Sequence, residues 1–310
     1  MKIVFLDAST LGNVNLDAFK EFGELLVYDM TSKEDVISRI ANAEVIVINK
    51  IAINKEILDN TNIKLILQLG TGVDHIDLDY ARSKGVVVKN VSGYSTKSVL
   101  SHTFALAFAF LNQIPYYDKW SKEGNWTKSE IFTDFSRILH TLTGKKHGII
   151  GLGTIGKEVA KLSCLFGSNV YYYSTSGKNL NNEYKHLSLD ELLKTCDLIS
   201  IHAPLNANTK NLIAKEQLQL LKDEAILINV GRGGIINEKD LAEIMDEKNI
   251  KVGLDVLEVE PMIKNHPLLN IKNKENLIIT PHVAWASEES IQNLINRVLN
   301  NLKEFIEYGK

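Results

Sequence analysis

The chain has 310 residues, enough for two domains that each bury a core. It is 45% hydrophobic and 24% charged with a formal net charge of -3, an ordinary globular balance that offers no basic face to nucleic acid. The opening MKIVFLD is cut off by Asp7, and no segment holds the ~18 apolar residues of a membrane span; the expectation is a cytoplasmic protein without nucleic-acid or membrane partners.

In chain order, short apolar runs alternate with helical patterns. The first set is KIVFLD (2–7), VIVIN (45–49), LILQLG (65–70) and VVVKN (86–90). These runs are continuously apolar, as parallel strands covered on both faces by helices must be. Next comes SVLSHTFALAFAFLN, apolar nearly all round, which predicts a helix buried on every side, between lobes or by a second subunit. A homodimer is therefore expected. After an aromatic, turn-rich stretch to Thr143, a second set follows: HGIIG (147–151), NVYYY (169–173), DLISIH (197–202), AILINV (225–230), VGLDV (252–256) and NLIIT (276–280). Strands separated by helices predict two α/β domains built of βαβ units. An amphipathic helix, Glu288 to Tyr308, closes the chain and could return to the first lobe. Cys164 and Cys196 match no metal-ligand spacing and are read as two buried thiols; no metal site is expected.

The strand HGII runs into Gly151-Leu152-Gly153-Thr154-Ile155-Gly156 and then a helix, the strand–turn–helix setting that a dinucleotide fingerprint requires. Gly151 permits the turn, Gly153 lets backbone approach a pyrophosphate, and Gly156 allows close helix–strand contact. The acidic residue that would hold a ribose 2′-OH about 20 residues on is absent. Ser174, Thr175, Ser176 and Lys178 stand there instead. Donors and a positive charge suit a 2′-phosphate, which favours NADP over NAD; a solvated turn that holds NAD without a carboxylate is the alternative.

Three polar residues fall just beyond later strands: Arg232 in GRGG, Glu260 in LEVEP and His282 in TPH. Ligands of open α/β sheets bind outside the carboxyl ends of the strands. Arg, Glu and His there suit reduction of a 2-keto acid: a histidine to protonate the carbonyl oxygen, a carboxylate to orient its ring, a guanidinium to hold the substrate carboxylate. Singly, each could be an ordinary turn or loop residue; three together after a dinucleotide fingerprint are not read that way.

The blocks LGTGVDHIDL (69–78), SGYSTKSVLSHTFAL (92–106), GKKHGIIGLGTIGKEVA (144–160), INVGRGGIIN (228–237), GLDVLEVEP (253–261) and TPHVAWAS (280–287) resemble the D-2-hydroxyacid dehydrogenase family over essentially the whole chain. The second block and GNWTKS (124–129) look most like its glycerate dehydrogenase, or hydroxypyruvate reductase, branch. The resemblance implies a two-lobed α/β fold of parallel sheets: a flavodoxin-like substrate domain from residues 1–98 and 286–310, and a Rossmann NAD(P)-binding domain from 99–285. It also implies a cleft between lobes and a homodimer. Arg232 would orient the substrate, Glu260 assist and His282 act as acid–base. Asp255 would lie near the nicotinamide amide, while His202, Ala203, Pro204, Thr209, Val230 and Gly231 would border the cofactor. Gly70, Thr71, Gly72 and Val73 would hold the substrate carboxylate, and Trp285 would shape the pocket. No appended regulatory domain is expected, which argues against a feedback-regulated phosphoglycerate dehydrogenase. A D-lactate or broad 2-keto acid reductase would use the same residues. A dinucleotide-sensing corepressor is the rival of another class.

Overall fold

Each apolar run is a parallel strand in the computed structural model, which describes residues 1–178 and 180–309. The chain divides into two units, Met1–Ser95 with Trp285–Lys310, and Thr96–Ala284.

The first unit holds β1 (Lys2–Phe5), β2 (Glu24–Val27), β3 (Val45–Ile48), β4 (Leu65–Gln68) and β5 (Val87–Lys89), in the order β2-β1-β3-β4-β5. This is the flavodoxin-like order. Every residue of β3 and β4 is buried. Alternation sends Phe5, Val45, Val47, Leu65 and Leu67 into one layer, and Val4, Ile46, Ile48 and Ile66 into the other. The closing helix, Glu288–Tyr308, is capped by Ser287 and covers the first layer with Leu294, Val298 and Leu302. Arg297 Nη1 donates to the Ser92 carbonyl, and Lys89 pairs with Glu304 at 2.8 Å.

The second unit holds β6 (Lys146–Ile150), β7 (Asn169–Tyr173), β8 (Lys185–His186), β9 (Leu198–Ile201), β10 (Ile226–Asn229), β11 (Lys251–Leu254) and β12 (Leu277–Ile279). Their order, β12-β11-β10-β9-β6-β7-β8, is that of a doubly wound Rossmann sheet with one further strand. The order reverses between β6 and β9, where such sheets bind their ligands.

Two edge strands lie outside the expected set: β2 (ELLV), whose short apolar run is half-exposed or exposed, and β8 (KH), which has none. The helix Thr96–Leu111 packs Val99, Phe104, Ala107 and Phe110 inward and exposes Ser101 and Ala105. One expectation is corrected: Cys164, read as a buried thiol, is exposed, because it lies on the outer side of its helix; Cys196 is buried. Among the described residues no helix is long and apolar enough to cross a membrane.

Candidate active site

The turn after β6 is shaped by close contacts. Gly151 adopts φ +92°, and a Cβ there would lie 2.9 Å from the Ala203 nitrogen. A Cβ on Gly156 would lie 2.2 Å from the Gly151 carbonyl oxygen, whereas one on Gly153 would meet nothing within 4 Å. Tight backbone packing thus demands Gly151 and Gly156, while Gly153 faces open space. The helix Thr154–Leu165 starts there with Thr154 and Ile155 in its first turn, no side-chain cap and no acidic residue. Its N–H groups and dipole suit an anion such as a pyrophosphate.

Two buried polar atoms flank this turn. Ser174 Oγ, just past β7, and His202 Nδ1, just past β9, meet no hydrogen-bond partner among the described residues. β6 lies between those strands. An unmet buried polar atom costs ~1–3 kcal/mol, and a dinucleotide along this edge brings the hydroxyl, phosphate and amide groups to meet both. The residues present therefore fit the cofactor. Thr175 is half-buried and Lys178 exposed, its amide donating to Ser176 Oγ. Ala203 and Val230 are buried and Pro204 is exposed. Thr209 is fully buried, its hydroxyl donating to the Pro204 carbonyl at 2.7 Å, so it shapes the loop after β9.

Arg232, Glu260 and His282 follow β10, β11 and β12, three neighbouring strands. His282 Nδ1 lies 2.7 Å from Glu260 Oε2. Glu260 is itself held, because its Oε1 accepts from the Leu257 amide. With Nδ1 committed to the carboxylate, Nε2 is the ring nitrogen left for a substrate. Arg232 Nη1 donates to the Gly231 carbonyl, which folds the side chain over its own turn. The glycines beside it serve packing: a Cβ on Gly233 would lie 1.9 Å from the Leu257 carbonyl oxygen, and one on Gly231 3.0 Å from that of Ala203.

Asn229, Glu238 and His266, beneath these groups, were not singled out from sequence. Asn229 braces the Arg232 turn, donating to the Arg232 carbonyl and accepting from the Gly231 amide. Buried Glu238 accepts from the Glu258 amide and lies 2.8 Å from His266 Nε2, tying down the loop that carries Glu260. Asp255, expected beside the cofactor, organises the His282 loop. Its carboxylate accepts from the Val283 and Ala284 amides and from the Thr280 hydroxyl, and its carbonyl accepts from the His282 amide. These contacts hold His282 at φ +54°, a left-handed conformation unusual outside glycine. The Glu238 and Asp255 side-chain contacts join residues 20 to 29 positions apart, which only the strand register brings together.

In the first unit, Gly70 to Val73 form the turn after β4. Asn90 Nδ2 donates to the Thr71 carbonyl, and the Thr71 hydroxyl donates to that of Val91. Beneath it, Gln68 Nε2 donates to the Asn49 carbonyl while its Oε1 faces His75 Nε2 at 3.0 Å. Trp285 stacks edge-on against Tyr94 within this unit, their centroids 6.2 Å apart.

A Rossmann sheet with an anion-ready turn and a histidine–carboxylate pair at its carboxyl edge defines the chemical class, a nicotinamide-dependent oxidoreductase. Residues 104–284 match the NAD-binding domain of the D-isomer specific 2-hydroxyacid dehydrogenases. The chain is 36% identical to a hydroxypyruvate reductase of Blautia hydrogenotrophica, over 99% of this chain and 97% of that one. An acyclic imino acid reductase in complex with NADPH and D-Arg superposes with a TM-score of 0.88 at 27% identity, covering 99% of this chain and 97% of the other. A D-lactate dehydrogenase from Aquifex aeolicus, complexed with NAD and lactic acid, gives 0.85 at 28%, covering 98% and 95%. The chain belongs to the D-isomer specific 2-hydroxyacid dehydrogenase family, and is an NAD(P)-dependent oxidoreductase acting on a CH–OH group.

Proposed function

We propose that the protein reduces hydroxypyruvate and glyoxylate to the corresponding 2-hydroxy acids, preferring NADPH to NADH. The observation that carries the reading is the His282–Glu260 pair at 2.7 Å on the edge that also carries Arg232. The bound nicotinamide supplies a hydride to the keto carbon. His282 gives a proton from Nε2 to the carbonyl oxygen, so hydride and proton together make the CH–OH product. Glu260 keeps the ring oriented by holding Nδ1–H. Arg232 binds the substrate carboxylate and stabilises the charge that develops on the carbonyl oxygen. In the first unit, Gly70 to Val73 are assigned to substrate binding and Trp285 to shaping the pocket.

Ser174, Thr175 and Lys178 support the NADPH preference, because a carboxylate at 174 would repel a 2′-phosphate. The likeness to a hydroxypyruvate reductase supports the substrate class. A homodimer is part of the proposal. Phe132, Phe135, Leu165 and Ile138 are 87%, 82%, 78% and 76% exposed, the kind of apolar surface that a second copy covers.

Oxidation of NADPH and NADH is followed in parallel with hydroxypyruvate, glyoxylate and pyruvate. Fastest turnover with the first two and NADPH is the expected result. Pyruvate in first place would make the protein a D-lactate or broad 2-keto acid reductase, and faster reaction with NADH would overturn the cofactor preference.

A further inference from the structure

The second unit holds a four-membered polar chain, and three of its members are fully buried and used by no step above. Ser163, His147 and Ser200 are all 0% exposed. His147 Nδ1 meets the Ser163 hydroxyl, and His147 Nε2 lies 2.9 Å from Ser200 Oγ. His202 Nε2 lies 2.9 Å from the same Ser200 Oγ. The chain ends at His202 Nδ1, which is buried and meets no partner among the described residues. Burial pushes the pKa of both histidines down to about 3, so both rings are neutral near pH 7 and each carries one N–H.

Proton counting fixes the polarity of this chain. Ser163 has His147 as its one hydroxyl partner among the described residues. If Ser163 only accepted, its own O–H would be buried and unpaired, so it donates to His147 Nδ1. His147 then carries its proton on Nε2 and donates it to Ser200. Ser200 has a single proton, which goes to His202 Nε2. The proton of His202 must therefore sit on Nδ1. Reversing the chain would leave both the Ser163 proton and a His202 lone pair unmet. Tautomers assigned in this way follow from the hydrogen-bond network.

We propose that Ser163, His147 and Ser200 are positioning residues that lock His202 as an Nδ1–H donor, aimed at an oxygen of the bound dinucleotide. The proposal rests on reading this edge as the dinucleotide site. His202 is where β9 passes into the loop that packs on Gly151: its amide donates to the Ile150 carbonyl, and Ala203 is what forbids a side chain on Gly151. A free imidazole would divide between two tautomers, only one of which can donate from Nδ1. The buried chain removes that choice before the cofactor arrives.

Long-range 1H–15N spectra of the imidazoles, assigned with His147→Leu and His202→Asn, read the tautomers in the wild-type protein. His202 protonated on Nδ1 and His147 on Nε2 is the expected result; a proton on His202 Nε2 overturns the proposal. Fluorescence titration with NADPH and NADH then measures affinity in Ser200→Ala and Ser163→Ala. We expect Kd to rise about three- to tenfold in the first and about two- to fivefold in the second. Unchanged affinity in both, with intact folding by circular dichroism, overturns the link to the cofactor. A wild-type protein that binds neither nucleotide would overturn the dinucleotide reading itself, while the spectra would still decide the polarity of the chain.

Discussion

Two sets of histidines in the same unit show how surroundings divide the work of one side chain. His282 is part-exposed and paired with a carboxylate at 2.7 Å. His147 and His202 are bound to hydroxyls, and burial holds their pKa at about 3. In the proposed mechanism the first arrangement passes a proton to the substrate. The second cannot charge near neutrality, and can only direct hydrogen bonds. What distinguishes an acid–base group from a positioning one here is the partner, a carboxylate or a hydroxyl, more than the residue type.

That contrast can be broken or sharpened by substitution. The largest effect is expected at the wet edge: Arg232→Ala should lower kcat/KM for hydroxypyruvate by about 10³-fold, and a loss under tenfold would remove Arg232 from the site. Gly233→Ala should come next. Its Cβ would lie 1.9 Å from the Leu257 carbonyl oxygen, so the Arg232 turn must shift. We expect a stability loss of about 3 kcal/mol, read as a lower urea midpoint, and an unchanged midpoint would refute the packing role. A smaller change is expected at Ser174: Ser174→Asp should move the ratio of NADPH to NADH affinity about tenfold towards NADH. An unmoved ratio would separate Ser174 from the ribose.

The buried histidines are tested by the pH dependence of stability. His147 and His202 titrate near 3 in the folded protein but near ~6.5 when unfolded. The folded state therefore binds fewer protons than the unfolded chain within that window. Their stabilisation is complete above pH ~6.5 and is lost as pH falls towards about 3, at up to ~1.4 kcal/mol per pH unit for each histidine. Urea unfolding at stepped pH should show this slope, and His147→Leu should flatten it. A slope unaffected by His147→Leu would contradict the burial of an uncharged ring.

Much of this was legible in the sequence, where periodicity and position decide the outcome. Apolar runs such as VIVIN and LILQLG became strands because burial on both faces leaves no polar alternation. The glycine fingerprint could be read because its strand and helix are its immediate neighbours, and Arg232, Glu260 and His282 because each follows a recognisable strand. The helix Glu288–Tyr308 kept its predicted limits, since its apolar stripe and Ser287 cap are local. Edge strand β8 escaped notice because its two exposed residues carry no apolar run. The Asn229, Glu238–His266 and Asp255 braces were hidden because their partners are distant in sequence or are backbone groups. The His147–Ser200–His202 chain was hidden likewise. HGII reads as a plain buried strand until the pairing of β6 with β9 sets His147 beside Ser200.

The most direct test of the central claim is the turnover of His282→Ala with hydroxypyruvate and NADPH, measured together with its NADPH affinity. The account predicts a fall in kcat of about 10³-fold, with Kd for NADPH within about twofold of the wild-type value, because the proton donor is lost while the dinucleotide edge is intact. Turnover within tenfold of wild type would contradict it, and would mean that the carbonyl oxygen takes its proton from another group.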